Sequence, residues 1–143
     1  MGYFNQYVRA ESLEEAYGLY QKKNNFVLGG MLWLKMRKRP FGTAIDLSDL
    51  GLDQIEEDEK EFRIGAYVSL RELETNEALN TYTKGAFAES VKHIVGVQFR
   101  NVATVGGSLW GRYGFSDVMT IFRAMGAKVQ LHHAGILDLD EFV

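Results

Sequence analysis

Two pairs of adjacent glycines, Gly106-Gly107 and Gly29-Gly30, are the residues in this chain whose type and spacing could do chemistry. The later pair lies in Gln98-Phe-Arg-Asn-Val-Ala-Thr-Val-Gly-Gly-Ser-Leu-Trp110, which brings Thr104, Val105, Gly106, Gly107 and Ser108 together. Glycine lacks a Cβ and tolerates left-handed backbone, so such a loop can aim several N–H groups at one anion, as a phosphate-binding nest does. Adjacent glycines also mark ordinary turns. What favours the nest is repetition: Gly29-Gly30 likewise follows an apolar strand-like run, Phe26-Val-Leu28, and precedes a helix-like one, Met31-Leu-Trp-Leu-Lys-Met36.

Other chemistries find little support. Neither pair has the Gly-x-Gly-x-x-Gly spacing of a Rossmann turn, the lysine of a P-loop or the Gly-x-Ser-x-Gly of a nucleophile elbow. Two nests without those signatures suggest a different dinucleotide fold, or a binder of some other phosphorylated ligand. The adjacent His132 and His133 read as strand residues, whose side chains would point to opposite faces and not share a metal. Glu56-Glu-Asp-Glu-Lys60 reads as a solvent-facing hairpin tip, and Asp138, Asp140 and Glu141 as capping residues. No catalytic acid, base, nucleophile or metal site is assigned. The chain has no cysteine, so it carries no disulfide, thiolate or cysteine-ligated cluster, and redox chemistry would have to come from an organic cofactor or a partner.

The elements that must position the two loops follow from periodicity. Ser12-Leu-Glu-Glu15 is a capping box opening a helix to about Lys22, with Leu13, Ala16, Tyr17 and Tyr20 on one face. Phe26-Val-Leu28 and Ala44-Ile-Asp-Leu47 read as strands around a short helix, Met31 to Met36, whose basic end Lys35 to Arg39 suits the negative pole of its dipole. Such a strand, helix, strand unit is parallel, and its turn gathers amides at a helix N-terminus. A hairpin follows over Leu50 to Ala66. Ser69 caps a helical turn to Glu74, and the longest helix follows Lys84, burying Phe87, Ala88, Val91, Ile94 and Val95 and ending at a left-handed Gly96. Ser116-Asp117 caps a helix to about Met125 with Val118, Ile121, Phe122 and Met125 inward. Gly126 ends it, and Ala127 to Leu131 is a strand. The expected architecture is α+β in two lobes, 1–48 (small, parallel) and 49–143 (mixed), with a cleft between them.

Length and charge bound the rest. With 143 residues, 24% charged residues and a net charge of -3, the chain fits one soluble domain and not a general nucleic-acid binder. No apolar run approaches the ~20 residues of a membrane span, and the start lacks a signal peptide's regions, so the expected location is the cytoplasm, with no membrane partner.

Taken in order, Asn25-Phe-Val-Leu-Gly-Gly30, Ile45-Asp-Leu47, Ile64-Gly-Ala66, Gln98-Phe-Arg-Asn-Val-Ala-Thr-Val-Gly-Gly-Ser108 and Ser116-Asp117 resemble the FAD-binding subunit of molybdenum hydroxylases, the family of xanthine dehydrogenase and carbon monoxide dehydrogenase. The resemblance implies a fold of two α+β subdomains of the vanillyl-alcohol oxidase and p-cresol methylhydroxylase type, with FAD between them. It assigns the cofactor to Val27, Leu28, Gly29, Gly30, Met31, Leu32 and Trp33 of the first loop, Thr104, Val105, Gly106, Gly107 and Ser108 of the second, and Asp117. In that family electrons pass from a molybdopterin subunit through iron–sulfur clusters on another subunit to FAD, then to NAD or another acceptor.

Three departures stand out. Met31, Leu32 and Trp33 follow the first Gly-Gly pair, where the family usually has Thr and then often Asp or another polar residue. Ser108 stands where Asn is common, and the family's C-terminal domain is lacking. These departures leave room for an alternative: a shortened member that has lost FAD and serves as an assembly module. For Arg100 and Asn101 a structural role is expected, for Trp33 and Trp110 core packing, while Tyr113 and Phe115 could flank a flavin.

Overall fold

The computed structural model describes residues 3–143. Its first part contains strand β1 (Phe4–Arg9), helix α1 (Leu13–Tyr20), strand β2 (Phe26–Val27) and strand β3 (Phe41–Asp46). The three strands are parallel in the order β1-β3-β2. Arg9 lies opposite Asp46 on one side, and Phe26 and Val27 lie opposite Ala44 and Ile45 on the other. As the middle strand, β3 buries Phe41, Thr43, Ala44 and Ile45, the near-continuous burial expected when both faces are covered. Ile45 packs against Ala10 and Ala16, while Ala44 and Phe41 pack against Leu28.

The capping box holds, with a one-residue displacement. Ser12 Oγ accepts the Glu15 amide at 3.0 Å, and the Glu15 carboxylate accepts the amide of Glu11, at 2.8 Å, in place of that of Ser12. Buried Asn25 then ties the end of α1 to the sheet, its Nδ2 donating to the Leu19 carbonyl at 2.8 Å and its Oδ1 accepting the Thr43 amide at 2.9 Å.

Two local expectations are corrected here. The helix expected over Met31 to Met36 is only a 3-10 turn, Leu34–Met36, because Met31 takes a left-handed φ of 59° that breaks helical continuity. Strand β1 was not expected, since Phe4-Asn-Gln-Tyr-Val-Arg9 lies on the sheet edge and is mostly exposed.

After β3, the expected hairpin is β4 (Ile55–Glu57) and β5 (Phe62–Ile64), paired antiparallel. Its acidic tip is a plain turn: Asp58 Oδ1 accepts the amides of Lys60 and Glu61, and Arg63 pairs with Asp58 and Glu61. Helices α2 (Leu70–Thr75), α3 (Glu77–Tyr82), α4 (Ala86–Val91), α5 (Val97–Val102), α6 (Val105–Trp110) and α7 (Asp117–Ala124) follow, then hairpin β6 (Lys128–Leu131) and β7 (Gly135–Asp138) and the terminal turn α8 (Leu139–Phe142). Val68, Leu73, Phe87, Val91, Val105, Val118 and Phe122 share one buried cluster. Oxygens of Ser69, Asn76, Thr104 and Ser116 each accept the amide three residues on, at 2.9–3.1 Å, so each helix start among α2, α3, α6 and α7 is capped by its own sequence.

The single long helix expected after Lys84 is instead α4 followed by turns and α5. Lys84 and Gly85 are both left-handed, and Val95 (φ 53°), not Gly96 (φ -158°), takes the left-handed position before α5. Val95 is consequently 78% exposed and not in the buried stripe. Met125 is likewise exposed, while Met119 joins Val118, Ile121 and Phe122 inside α7's buried face. Among the described residues no helix is long and apolar enough to cross a membrane.

A largely buried ion pair locks α2 to α5. Arg100, 4% exposed, donates from Nε to Glu74 Oε2 at 2.9 Å and from Nη1 to the Ile94 carbonyl at 3.1 Å, while Arg71 reaches the same carboxylate at 2.8 Å. Burial pushes the Glu74 carboxyl up, but the bonds from Arg71 and Arg100 outweigh it and hold the group below its usual 4.5. A depressed folded-state value means stability that is fully present above pH 4.5 and lost as pH falls through the folded-state value. Denaturant melts from pH 7 downward should show this loss, and Glu74→Gln should narrow its gap from the parent chain in acid. An unchanged gap would remove Glu74 as its source.

Candidate functional site

Both glycine segments meet at one cleft of about 600 Å³, within the size range of small-molecule sites. Three elements fix the first segment. The Leu28 amide donates to the Ile45 carbonyl at 2.8 Å, so the chain leaves β2 in sheet register. The Tyr67 hydroxyl then donates to the Leu28 carbonyl and accepts the Leu47 amide at 3.1 Å, tying the ends of β2 and β3 to the later half of the chain. Burial pushes this phenol's pKa up, which keeps it a donor. Beyond Leu28, Gly30 lies against the junction of α5 and α6, where a Cβ would come 2.1 Å from the Val102 carbonyl oxygen. Only glycine fits so near a fixed backbone.

The side chains that depart from the family pattern have a packing role. Met31 joins Leu28, Phe41 and Ala44 beneath the sheet, and Leu32 packs on the helical core around Val105 and Val118. The loop is thus pinned at both ends, and its backbone is left for the cleft. The amides of Gly29, Gly30, Met31, Leu32 and Trp33 make no hydrogen bond to protein acceptors among the described residues. These five consecutive donors belong to residues that line the cleft and are not buried, so they are free to bond water or a bound anion.

The second segment differs from the expected nest. It is not a loop but the end of α5, Ala103 and Thr104, and the first turn of α6. Its amides are already used: Val105 donates to Val68, Gly106 to Ala66, Gly107 to Thr104 Oγ1 and Ser108 to the Thr104 carbonyl. None of the four paired glycines has a positive φ, so their common property is close approach. Gly106 packs on Ala66, whose Cβ would stand 2.8 Å from a Cβ added there, while Gly107 is exposed to the cleft.

Of the residues singled out from the sequence, Val27, Gly29, Gly30, Met31, Leu32, Trp33, Thr104, Gly107, Ser108 and Asp117 line this cleft together. Leu28, Val105 and Gly106 stand behind it, the first two in the core. Asp117 is the first residue of α7, after the Ser116 cap.

The rim is aromatic. Trp33 and Tyr113 have ring centroids 5.2 Å apart, and Tyr113 stacks on Phe115 at 5.2 Å. The core packing expected for Trp33 and Trp110 does not occur, since they are 56% and 57% exposed; Trp110 instead lies beneath the Arg112 guanidinium. Sequence reasoning missed Arg37, hidden in a run that also explains a solvated helix end. Its guanidinium carbon lies 4.6 Å over the Phe26 ring, and its buried Nε has no hydrogen-bond partner among the described residues.

Outside the cleft, the histidines require a correction. His132 and His133 do not point to opposite faces: both Nε2 atoms reach one oxygen of Glu14. They sit beyond β6, in the turn, where His133 is left-handed and strand alternation no longer applies.

Comparison with known proteins gives the family. Residues 3–143 match the model of the FAD-binding domain in molybdopterin dehydrogenase. The chain belongs to that family. An uncharacterized protein of Escherichia coli K12, YgfM, is 27% identical over 96% of this chain and 53% of its own length. Quinoline 2-oxidoreductase from Pseudomonas putida 86 superimposes with a TM-score of 0.83 at 19% identity, over 97% of this chain and 51% of that one. Carbon monoxide dehydrogenase from Oligotropha carboxidovorans gives 0.83 at 23% identity, over 95% and 50%. The chain therefore spans about half the length of the relatives it matches. FAD is the cofactor of this domain family. The free amides of Gly29 to Trp33 and the unpartnered Arg37 Nε suit an anionic group, while the missing Cβ of Gly30 lets the loop pack on the Val102 backbone.

Proposed function

We propose that the chain holds FAD in this cleft as the electron-transfer domain of a molybdopterin-dependent dehydrogenase complex. The observation that supports this most is the convergence of both Gly-Gly segments and Asp117 on one cleft bordered by five unpartnered amides. When bound, FAD would supply the redox chemistry that connects iron–sulfur clusters with NAD or another acceptor. The protein's part is to bind, orient and shield. Amides of Gly29 to Trp33 and the Arg37 guanidinium would hold the pyrophosphate, Gly107 would leave it room, and Asp117 would accept from ribityl hydroxyls. Trp33, Tyr113 and Phe115 cover apolar ring surface. With no cysteine in the chain, the clusters belong to an iron–sulfur subunit and the molybdenum centre to a molybdopterin subunit.

The test is a visible absorption spectrum of the purified chain before and after incubation with FAD and desalting. Retained flavin bands are the expected result. A second reading rests on Met31 and Leu32, whose side chains serve packing and offer no hydroxyl: an assembly module without cofactor. Absence of flavin, alone and with partner subunits added, would leave that reading in place.

Arg37→Gln should weaken FAD binding at least about tenfold, since a hydrogen bond to a charged group contributes roughly 1.5–3 kcal/mol. Flavin fluorescence titration measures it, and an unchanged affinity would take Arg37 out of the site.

A further inference from the structure

We propose that Glu14, His132 and His133 form a surface site for a divalent transition-metal ion, zinc above all. Glu14 is on the first turn of α1, and the histidines lie far along the chain in the β6–β7 turn. His132 Nε2 is 3.1 Å and His133 Nε2 2.8 Å from Glu14 Oε2, and the three ligand atoms lie within 4.8 Å of one another. The left-handed φ of 66° at His133 is what turns two adjacent side chains to the same side. Tyr17 braces both rings, its centroid 5.8 Å from that of His132 and 4.5 Å from that of His133.

Two imidazoles and one carboxylate are the ligand set of an open zinc site, three protein donors with a fourth position free for water. Metal–donor bonds of about 2.0–2.2 Å in a tetrahedron set the donors roughly 3.3 Å apart, so small rotations of exposed side chains complete the geometry from the separations present. Imidazole donors favour zinc, copper or nickel over calcium or magnesium, which take oxygen cages. The ion would clamp α1 of the parallel sheet to the β6–β7 hairpin, and its open position faces solvent, because all three residues are exposed.

The experiment is isothermal titration of zinc into the full 143-residue chain without an affinity tag, with cobalt as a spectroscopic substitute. One ion per chain is expected, with a visible cobalt spectrum of low coordination number. Glu14→Gln, His132→Ala and His133→Ala should each weaken binding at least about tenfold, a loss that removal of an outer-shell partner alone can cause. His93→Ala, the remaining histidine, should change nothing. No saturable binding, or binding that survives His132→Ala and His133→Ala in chains whose circular dichroism is unchanged, would reduce the cluster to an ordinary hydrogen-bonded surface group and overturn the proposal.

Discussion

Gly30→Ala should lose bound flavin and stability together, whereas Gly107→Leu should lose the flavin alone. At Gly30 the added carbon would lie 2.1 Å from the Val102 oxygen and 2.8 Å from its carbonyl carbon, both backbone atoms of α5. Backbone cannot rotate aside as a side-chain end can, so the loop must withdraw and take the five free amides with it. Overpacking of this kind destabilises by about 1–3 kcal/mol. Gly107 differs because its nearest neighbour is the Thr104 hydroxyl at 3.0 Å and its outer side opens on the cleft. A leucine there gains helix propensity but fills space meant for the ligand. Thermal melts and retained flavin absorbance, measured on both variants, separate packing from binding. If Gly107→Leu keeps its flavin, the cofactor does not use this cleft.

The second large effect is on stability. Arg100→Ala should destabilise the chain by roughly 1.5–3 kcal/mol, the loss expected when hydrogen bonds to a charged, largely buried group are removed. Glu74 would keep only Arg71, which is partly exposed, and the Ile94 carbonyl would lose its donor. Arg100→Lys should recover little, because an ammonium cannot reach both the carboxylate and the carbonyl with a planar fork. The double variant Arg100→Leu, Glu74→Leu should be more stable than Arg100→Ala, since apolar replacement leaves no charge buried. Urea melts decide this. A small effect for Arg100→Ala would mean that water already solvates Glu74.

These outcomes show which parts of the molecule could be read from its residues. The caps at Ser12, Ser69 and Ser116, the 55–64 hairpin and the buried face of α7 were legible because each depends on neighbours within one or two turns. Strand β1 was not, since Phe4-Asn-Gln-Tyr-Val-Arg9 has little apolar alternation and owes its structure to pairing with distant β3. The break after α4 was hidden because valine at position 95 holds a conformation usually left to glycine, a preference only tertiary structure can override. At the cleft, the glycines were found from spacing but for a reason that needs amending: they matter for close approach, not for left-handed turns. Arg37 and the Glu14 histidine cluster went unassigned because the basic run could be a solvated helix end and strand alternation does not apply in a turn.

The cleft draws on residues near 30 and again on residues from 104 to 118. Ribosomes deliver chains from the N-terminus, so the early loop emerges on the order of seconds before the segment that completes the pocket. The parallel sheet needs nothing beyond Asp46 for its strands, yet the cleft is incomplete until α7 has left the exit tunnel. A flavin held in this cleft would therefore be a late arrival in biogenesis. By binding only the folded cleft it would act as a ratchet, drawing folded molecules out of the unfolded pool as its free concentration rises.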